Sequence, residues 1–165
     1  LNTDGIYGKD VTYRDDITRE QQGQYAMLNY DPKFQEMARE GDILVGGRNF
    51  GTGSSREQAA TALASRGIRM VISASASQTY SRNAYNNGFV VLQCPALVDH
   101  LAAKHASEVS AGVRTIASSD LTVDFRNSKM EIDGRVIRFA GLSPTAQRLV
   151  ARGGAENVVR EQLGA

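Results

Sequence analysis

Ile43-Leu44-Val45-Gly46-Gly47-Arg48-Asn49-Phe50-Gly51-Thr52-Gly53-Ser54-Ser55-Arg56-Glu57 joins an apolar run to a glycine-rich loop, and a small-residue segment at 58–66 follows. The stretch reads as a strand, a loop and a helix N-terminus. Such a junction gathers backbone N–H groups that lack helical partners, adds the positive end of the helix dipole, and sets two hydroxyls and a guanidinium beside them. It is built to receive an anion.

Working outward, Gly67 stops the helix at 56–66, and Ile68-Arg69-Met70-Val71-Ile72 reads as a buried parallel strand. A helix over 77–87, a short strand over 89–92 and a helix opened by Pro95 and running to 107 come next. Strand and helix alternate, which is α/β logic with right-handed crossovers. Upstream, residues 1–16 are polar and turn-rich and read as loop. Thr18 with Gln21 forms a capping-box pattern for a helix over 18–28, and Asp31-Pro32 opens another that ends near Gly41. The last third changes character. Runs at 121–125 and 130–132 alternate, and Asp133-Gly134 joins the second to 136–139 as a hairpin. Ser143-Pro144 caps a helix to 152, and a terminal helix covers 155–163.

Length and composition restrict the function. At 165 residues, 41% hydrophobic and 22% charged, the chain has material for one domain, taken as 1–165. Nineteen basic and eighteen acidic residues are interspersed and give a formal charge of +1, so neither nucleic acid nor an anionic membrane is an expected partner. No basic-aromatic patch supports an RNA-binding module. The apolar runs fall well short of the roughly 18 residues that span a bilayer, and no signal-peptide pattern opens the chain. The first residue is Leu1 rather than methionine, which suggests a piece excised from a longer chain. A single cysteine, Cys94, excludes an internal disulfide and any Cys-x-x-Cys metal or cluster site within these residues.

Spacing then sorts the anions. A P-loop requires lysine after its last glycine, but Gly51 is followed by Thr52-Gly53; a dinucleotide fingerprint requires glycine where Arg56 stands, and Ser73 occupies the place of its acidic ribose ligand. A nucleophile elbow also fails at Arg56. The structural alternative is a capping box in which Ser54 caps the helix and Glu57 reaches back. A plain cap needs neither Arg56 nor glycines at 46, 47, 51 and 53, whereas an arginine fork beside helix-terminal N–H groups is a natural receptor for a carboxylate.

Three stretches together, Gly47-Arg48-Asn49-Phe50-Gly51-Thr52-Gly53-Ser54-Ser55-Arg56-Glu57, Gly67-Ile68-Arg69 and Ser81-Arg82-Asn83-Ala84-Tyr85-Asn86-Asn87-Gly88, resemble the mobile swivel domain of the aconitase superfamily. The resemblance runs from Asn2-Thr3-Asp4-Gly5-Ile6 to the C-terminal helices. It implies a three-layer β/β/α fold with a mostly parallel sheet plus an antiparallel hairpin layer. It also implies a hydro-lyase that interconverts hydroxy-polycarboxylic acids, with tricarboxylates among its substrates. Carried over by motif, Ser54 is the base, acting as an alkoxide, and Asp4 belongs to the active site. Arg56 grips a substrate carboxylate, Ser55 adds a hydrogen bond, and Arg14, in the segment that selects substrates, is placed to meet a distal carboxylate. A solvated charge is the alternative for Arg14 and an Asx-turn the alternative for Asp4.

The family cofactor is a [4Fe–4S] cluster whose cysteines lie in a large cluster-bearing portion, so the resemblance implies that this chain binds no metal and is incomplete alone. Its setting is mitochondrial or cytoplasmic according to the branch of the superfamily. Where relatives carry Ser-Phe-Ala-Arg this chain has Ser75-Ala76-Ser77-Gln78, which removes an arginine; Gln58 replaces a histidine without consequence. His100 and His105, five apart on one helix, read as satisfied or surface residues, and Cys94 as a small buried apolar one.

Overall fold

In the computed structural model, which describes residues 1–164, the chain forms α1 (Thr3–Ile6), α2 (Lys9–Thr12), a 3₁₀ helix (Glu20–Tyr25), α3 (Lys33–Met37), β1 (Ile43–Gly46), α4 (Gln58–Ser65), β2 (Met70–Ser73), α5 (Gln78–Asn86) and β3 (Val90–Gln93). Then come α6 (Pro95–Lys104), α7 (Ala106–Ser110), β4 (Thr122–Asp124), β5 (Lys129–Ile132), β6 (Arg135–Arg138), α8 (Pro144–Ala151) and α9 (Ala155–Leu163). Strands β1, β2 and β3 form a parallel sheet in that order, and β4, β5 and β6 form a separate antiparallel one. The expected hairpin layer is thus a complete second sheet, and the first sheet is parallel throughout.

Register explains the layering. Ile43, Met70 and Val90 stand side by side, as do Leu44, Val71 and Val91, and then Val45, Ile72 and Leu92. Because side chains alternate across a sheet, the middle row faces one way and the two flanking rows the other. The middle row packs with Ala59, Ala60, Ala62 and Leu63 of α4, Tyr80 and Ala84 of α5, and Ile6, Tyr7 and Val11 of the N-terminal segment. The flanking rows meet Met130 and Ile132 of the second sheet, Phe139 just past β6, and Leu97 of α6. Apolar faces on both sides are what a short, continuously apolar parallel strand requires. Asp133 and Gly134 both have positive φ, 50° and 72°, which fits the two-residue turn between paired Ile132 and Arg135.

Several elements depart from expectation for identifiable reasons. Residues 1–16 contain two single-turn helices, α1 capped by the Asn2 side chain, which accepts from Gly5 N–H at 2.9 Å. Only half of the capping box at Thr18 forms: Gln21 Oε1 accepts from the Thr18 N–H at 2.9 Å, but the helix is 3₁₀. There the backbone of Gly23 lies directly against that of Ser65 and Arg66, where a Cβ would not fit. α3 ends at Met37, four residues before Gly41, because Arg39 Nη1 caps the carbonyls of Glu36, Met37 and Ala38. The helix from Pro95 breaks at His105, whose ring bonds Glu108 and Ser118. His100 bonds Asp133 at 3.0 Å, and Cys94, 2% exposed, lies in the core.

Candidate active site

The loop after β1 is held from two directions. On one side Ser75, just past β2, accepts from the Asn49 N–H through its hydroxyl (2.8 Å) and from the Phe50 N–H through its carbonyl (2.9 Å). On the other side, Gly51 N–H donates to Leu1 O, Thr3 N–H to Thr52 O, and the Thr3 hydroxyl to Ser54 O at 2.9 Å. Phe50 anchors the centre, fully buried and edge-on to Tyr80 with ring centroids 5.4 Å apart. Gly51 has φ of 70° and a Cβ on it would run into Cγ of Tyr80, so both its conformation and its surroundings demand glycine.

This framing presents Ser54 and Ser55 to solvent. The Ser54 side chain makes no hydrogen bond with any described residue, while the Ser55 Oγ accepts from Asn83 Nδ2 at 3.2 Å. The capping-box expectation is corrected. α4 begins at Gln58 after a helical Glu57 with no side-chain cap, and the Glu57 carboxylate instead accepts from Asn87 Nδ2 at 2.7 Å. Ser54 stands too far upstream to cap, and the Thr3 hydroxyl holds its carbonyl. Among the described residues, the N–H groups of 53–58 donate to no partner within the chain. They lie in the loop that leads into α4 and at its first residue, where a helix leaves backbone donors without helical partners.

Arg56 and Asp4 complete the group. Arg56 is only 9% exposed at its side chain, and its Nη1 donates to Asp4 Oδ1 and to Tyr7 O, both at 2.9 Å. The Asp4 carboxylate also accepts from the Lys9 N–H at 2.8 Å. These donors, Arg56 first, hold its pKa below the ordinary carboxylate value. The two acceptors use both hydrogens of Nη1. A guanidinium carries five N–H donors, so Nη2 and Nε remain, the edge that binds a carboxylate bidentately.

The structure therefore brings Ser54, Ser55, Arg56 and Asp4 together. Arg14 bonds to none of these four: its Nε and Nη2 donate to the two Asp16 carboxylate oxygens, at 3.0 and 2.5 Å, and its guanidinium rests 6.0 Å over the Tyr25 ring. Sequence reasoning missed Thr3, Asn83, Asn87 and the Tyr7 carbonyl. A signal existed for two of them, since Asn83 and Asn87 are four apart and flank Ala84 on the face of α5 that packs toward α4. Among the described residues no cluster of three or more His, Cys, Asp or Glu side chains is arranged to hold a metal ion. A [4Fe–4S] cluster does not fit this chain, whose one thiol is buried in the core.

The chain is thus a three-layer α/β domain that carries, on the loop after β1, an exposed serine two residues before an arginine already oriented by Asp4 and the Tyr7 carbonyl. Residues 2–97 match the family described as Aconitase C-terminal domain, and the chain belongs to that family. It is similar to the protein named "Homoaconitase, mitochondrial" of Aspergillus oryzae, 41% identical over 172 residues and covering 100% of the chain and 22% of the relative. The protein of the same name from Candida glabrata is 42% identical over 171 residues, covering 99% of the chain and 25% of the relative. The chain thus spans about a quarter of the length of these curated relatives. The crystal structure of 3-isopropylmalate dehydratase from Methanocaldococcus jannaschii superposes with a TM-score of 0.83 at 25% identity, covering 98% of this chain and 87% of that one.

Proposed function

We propose that this chain is the swivel domain of a homoaconitase, a hydro-lyase interconverting homoaconitate and homoisocitrate in lysine biosynthesis by the α-aminoadipate route. The observation that carries the proposal is Ser54: exposed, free of internal hydrogen bonds, and set on the unpaired N–H array beside Arg56. The identity to proteins named homoaconitase extends over the whole chain and supports that substrate class.

Interconversion requires removal of a proton from carbon next to a carboxylate, hence a base and donors for the developing charge. A serine hydroxyl is far too weak an acid to serve unaided. The array of N–H groups, the helix dipole and the Arg56 charge stabilise its oxyanion, and Ser54 Oγ then accepts the proton. Nη2 and Nε of Arg56 and the Ser55 hydroxyl bind substrate carboxylate oxygens. Asp4 keeps Arg56 in place through Nη1. Arg14 serves the distal carboxylate only by leaving Asp16.

The family's [4Fe–4S] cluster belongs, in this proposal, to the large cluster-bearing portion of the same enzyme, which is the partner of this domain. The domain alone is inactive. The setting is mitochondrial, as in the names of the fungal relatives, and no described helix is long and apolar enough to cross a membrane. The likeness to the dehydratase structure favours a second reading, the isopropylmalate isomerase small subunit of leucine biosynthesis. Kinetic competition between homoisocitrate and isopropylmalate, with this chain joined to the cluster-bearing portion, decides between them. Homoisocitrate is expected to have the higher kcat/KM, and preference for isopropylmalate overturns the assignment.

A further inference from the structure

We infer that Asn83 of α5 and Asn87, the residue that caps the C-terminal end of that helix, are positioning residues of the serine loop, with Asn83 setting the direction in which the Ser55 hydroxyl donates. This rests on the reading of Ser55 as a substrate contact.

Asn83 Nδ2 donates to Ser55 Oγ at 3.2 Å. An amide N–H only donates, whereas a serine hydroxyl offers one hydrogen and two lone pairs. The contact occupies a lone pair and leaves the hydrogen of Ser55 for an acceptor outside the loop, such as a carboxylate oxygen. Asn87 grips the far side of Arg56. Its Nδ2 donates to Glu57 Oε1 at 2.7 Å and to Asn83 O at 2.9 Å, and its Oδ1 accepts from Arg19 Nη2 at 3.1 Å. A carboxylate and a carbonyl on one end and a guanidinium on the other fix which way this amide points. The residues before and after Arg56 are therefore each tied to the same helix, while Arg56 itself is tied to Asp4 and Tyr7. Neither asparagine is among the groups expected to touch the reacting atoms, so each acts through the residue it holds. The serines stay exposed for substrate, and their aim is set from behind.

The test uses the complete enzyme with homoisocitrate, comparing Asn83→Ala, Asn83→Asp, Ser55→Ala, the double variant Ser55→Ala with Asn83→Ala, and Ser54→Ala. Asn83→Ala is expected to lower kcat/KM about tenfold, mostly through KM, as the loss of one oriented hydrogen bond predicts. Asn83→Asp, equal in size but able only to accept, is expected to lower it further, because its carboxylate takes the Ser55 hydrogen and sets a negative charge beside the anion site. In the Ser55→Ala background Asn83→Ala should add nothing. Wild-type kinetics in Asn83→Ala, an Asn83→Asp enzyme better than Asn83→Ala, or full additivity in the double variant each overturn the inference. A Ser54→Ala enzyme that keeps its turnover removes the base assignment instead and leaves the Asn83 cycle to be read on its own.

Discussion

Asp4 in α1 and Asp133 in the β5–β6 turn each accept from several donors, and the two clusters differ in what remains unpaired. Asp133, in the β5–β6 turn, is met by His100 and Lys104 of α6 and by the Ser119 hydroxyl, with Lys104 reaching both carboxylate oxygens at 2.9 Å. The lysine also reaches Ser119, so the cluster closes on itself and fastens the hairpin to a helix. Asp4 is met by Arg56 and the Lys9 N–H, but among the described residues nothing pairs with the other edge of the Arg56 fork or with the six consecutive N–H groups of 53–58. Both carboxyls are held below their ordinary pKa, Asp133 by Ser119 first, then Lys104 and His100. A depressed pKa therefore marks both places, and only the unspent donors tell the first from the second.

The largest expected effect separates these two clusters outright. Ser54→Ala should lower turnover of the complete enzyme by roughly 10³-fold or more, the scale of a lost general base, with an unchanged melting temperature because this side chain bonds to nothing in the fold. A loss below tenfold in steady-state kinetics would break the distinction. Met130→Ala probes the other sheet: the side chain is 0% exposed between the layers, and its removal should cost about 2–5 kcal/mol in denaturant unfolding. While the variant remains folded its KM should not move.

Arg56→Lys comes next. A lysine has three donors to serve Asp4, the Tyr7 carbonyl and a substrate carboxylate, and no planar fork. A fall in kcat/KM of about 10- to 100-fold is expected, equivalent to one or two charged hydrogen bonds. Retained affinity would mean that the free edge of Arg56 is not the carboxylate contact.

The smallest effect is pH-linked. The folded-state pKa of Asp133 lies below its unfolded value of 3.8, so the stabilisation it brings is present above that value and is lost as pH falls through the depressed one. Asp133→Asn should therefore lower the melting temperature at neutral pH, and the curves of variant and wild type should converge in acid. Parallel curves across the whole range would show that the cluster does not fasten the hairpin through this charge.

Much of this was legible in the sequence where neighbours in the chain decide the outcome. Met70-Val71-Ile72 and Val90-Val91-Leu92 could only be buried strands, and Asp133-Gly134 between alternating runs fixed a turn that tolerates positive φ. The anion loop was legible through its glycines and through Arg56. What escaped depends on distant partners. Asn2-Thr3-Asp4 looked like loop because the groups that order it, Thr52, Ser54 and Arg56, lie some fifty positions away. Ser54 and Glu57 have the spacing of a capping box, but Asn87, thirty positions away, claims the Glu57 carboxylate that the box would need, and the helix starts only at Gln58. Arg14 is the exception, because its partner Asp16 stands only two positions away and an Arg-x-Asp spacing is local enough to have been read as an ion pair.

The tie between Thr3 and Ser54 crosses 51 positions, that between Arg56 and Asp4 crosses 52, and Arg19 reaches Asn87 across 68. Contacts of such separation carry the largest loop-closure cost and generally form after local turns and helices. The serine loop is accordingly expected to be among the last parts of the chain to become ordered, after the strands it follows. A newly made chain would then carry Ser54, the proposed base, without its surrounding donors until the fold around it is finished.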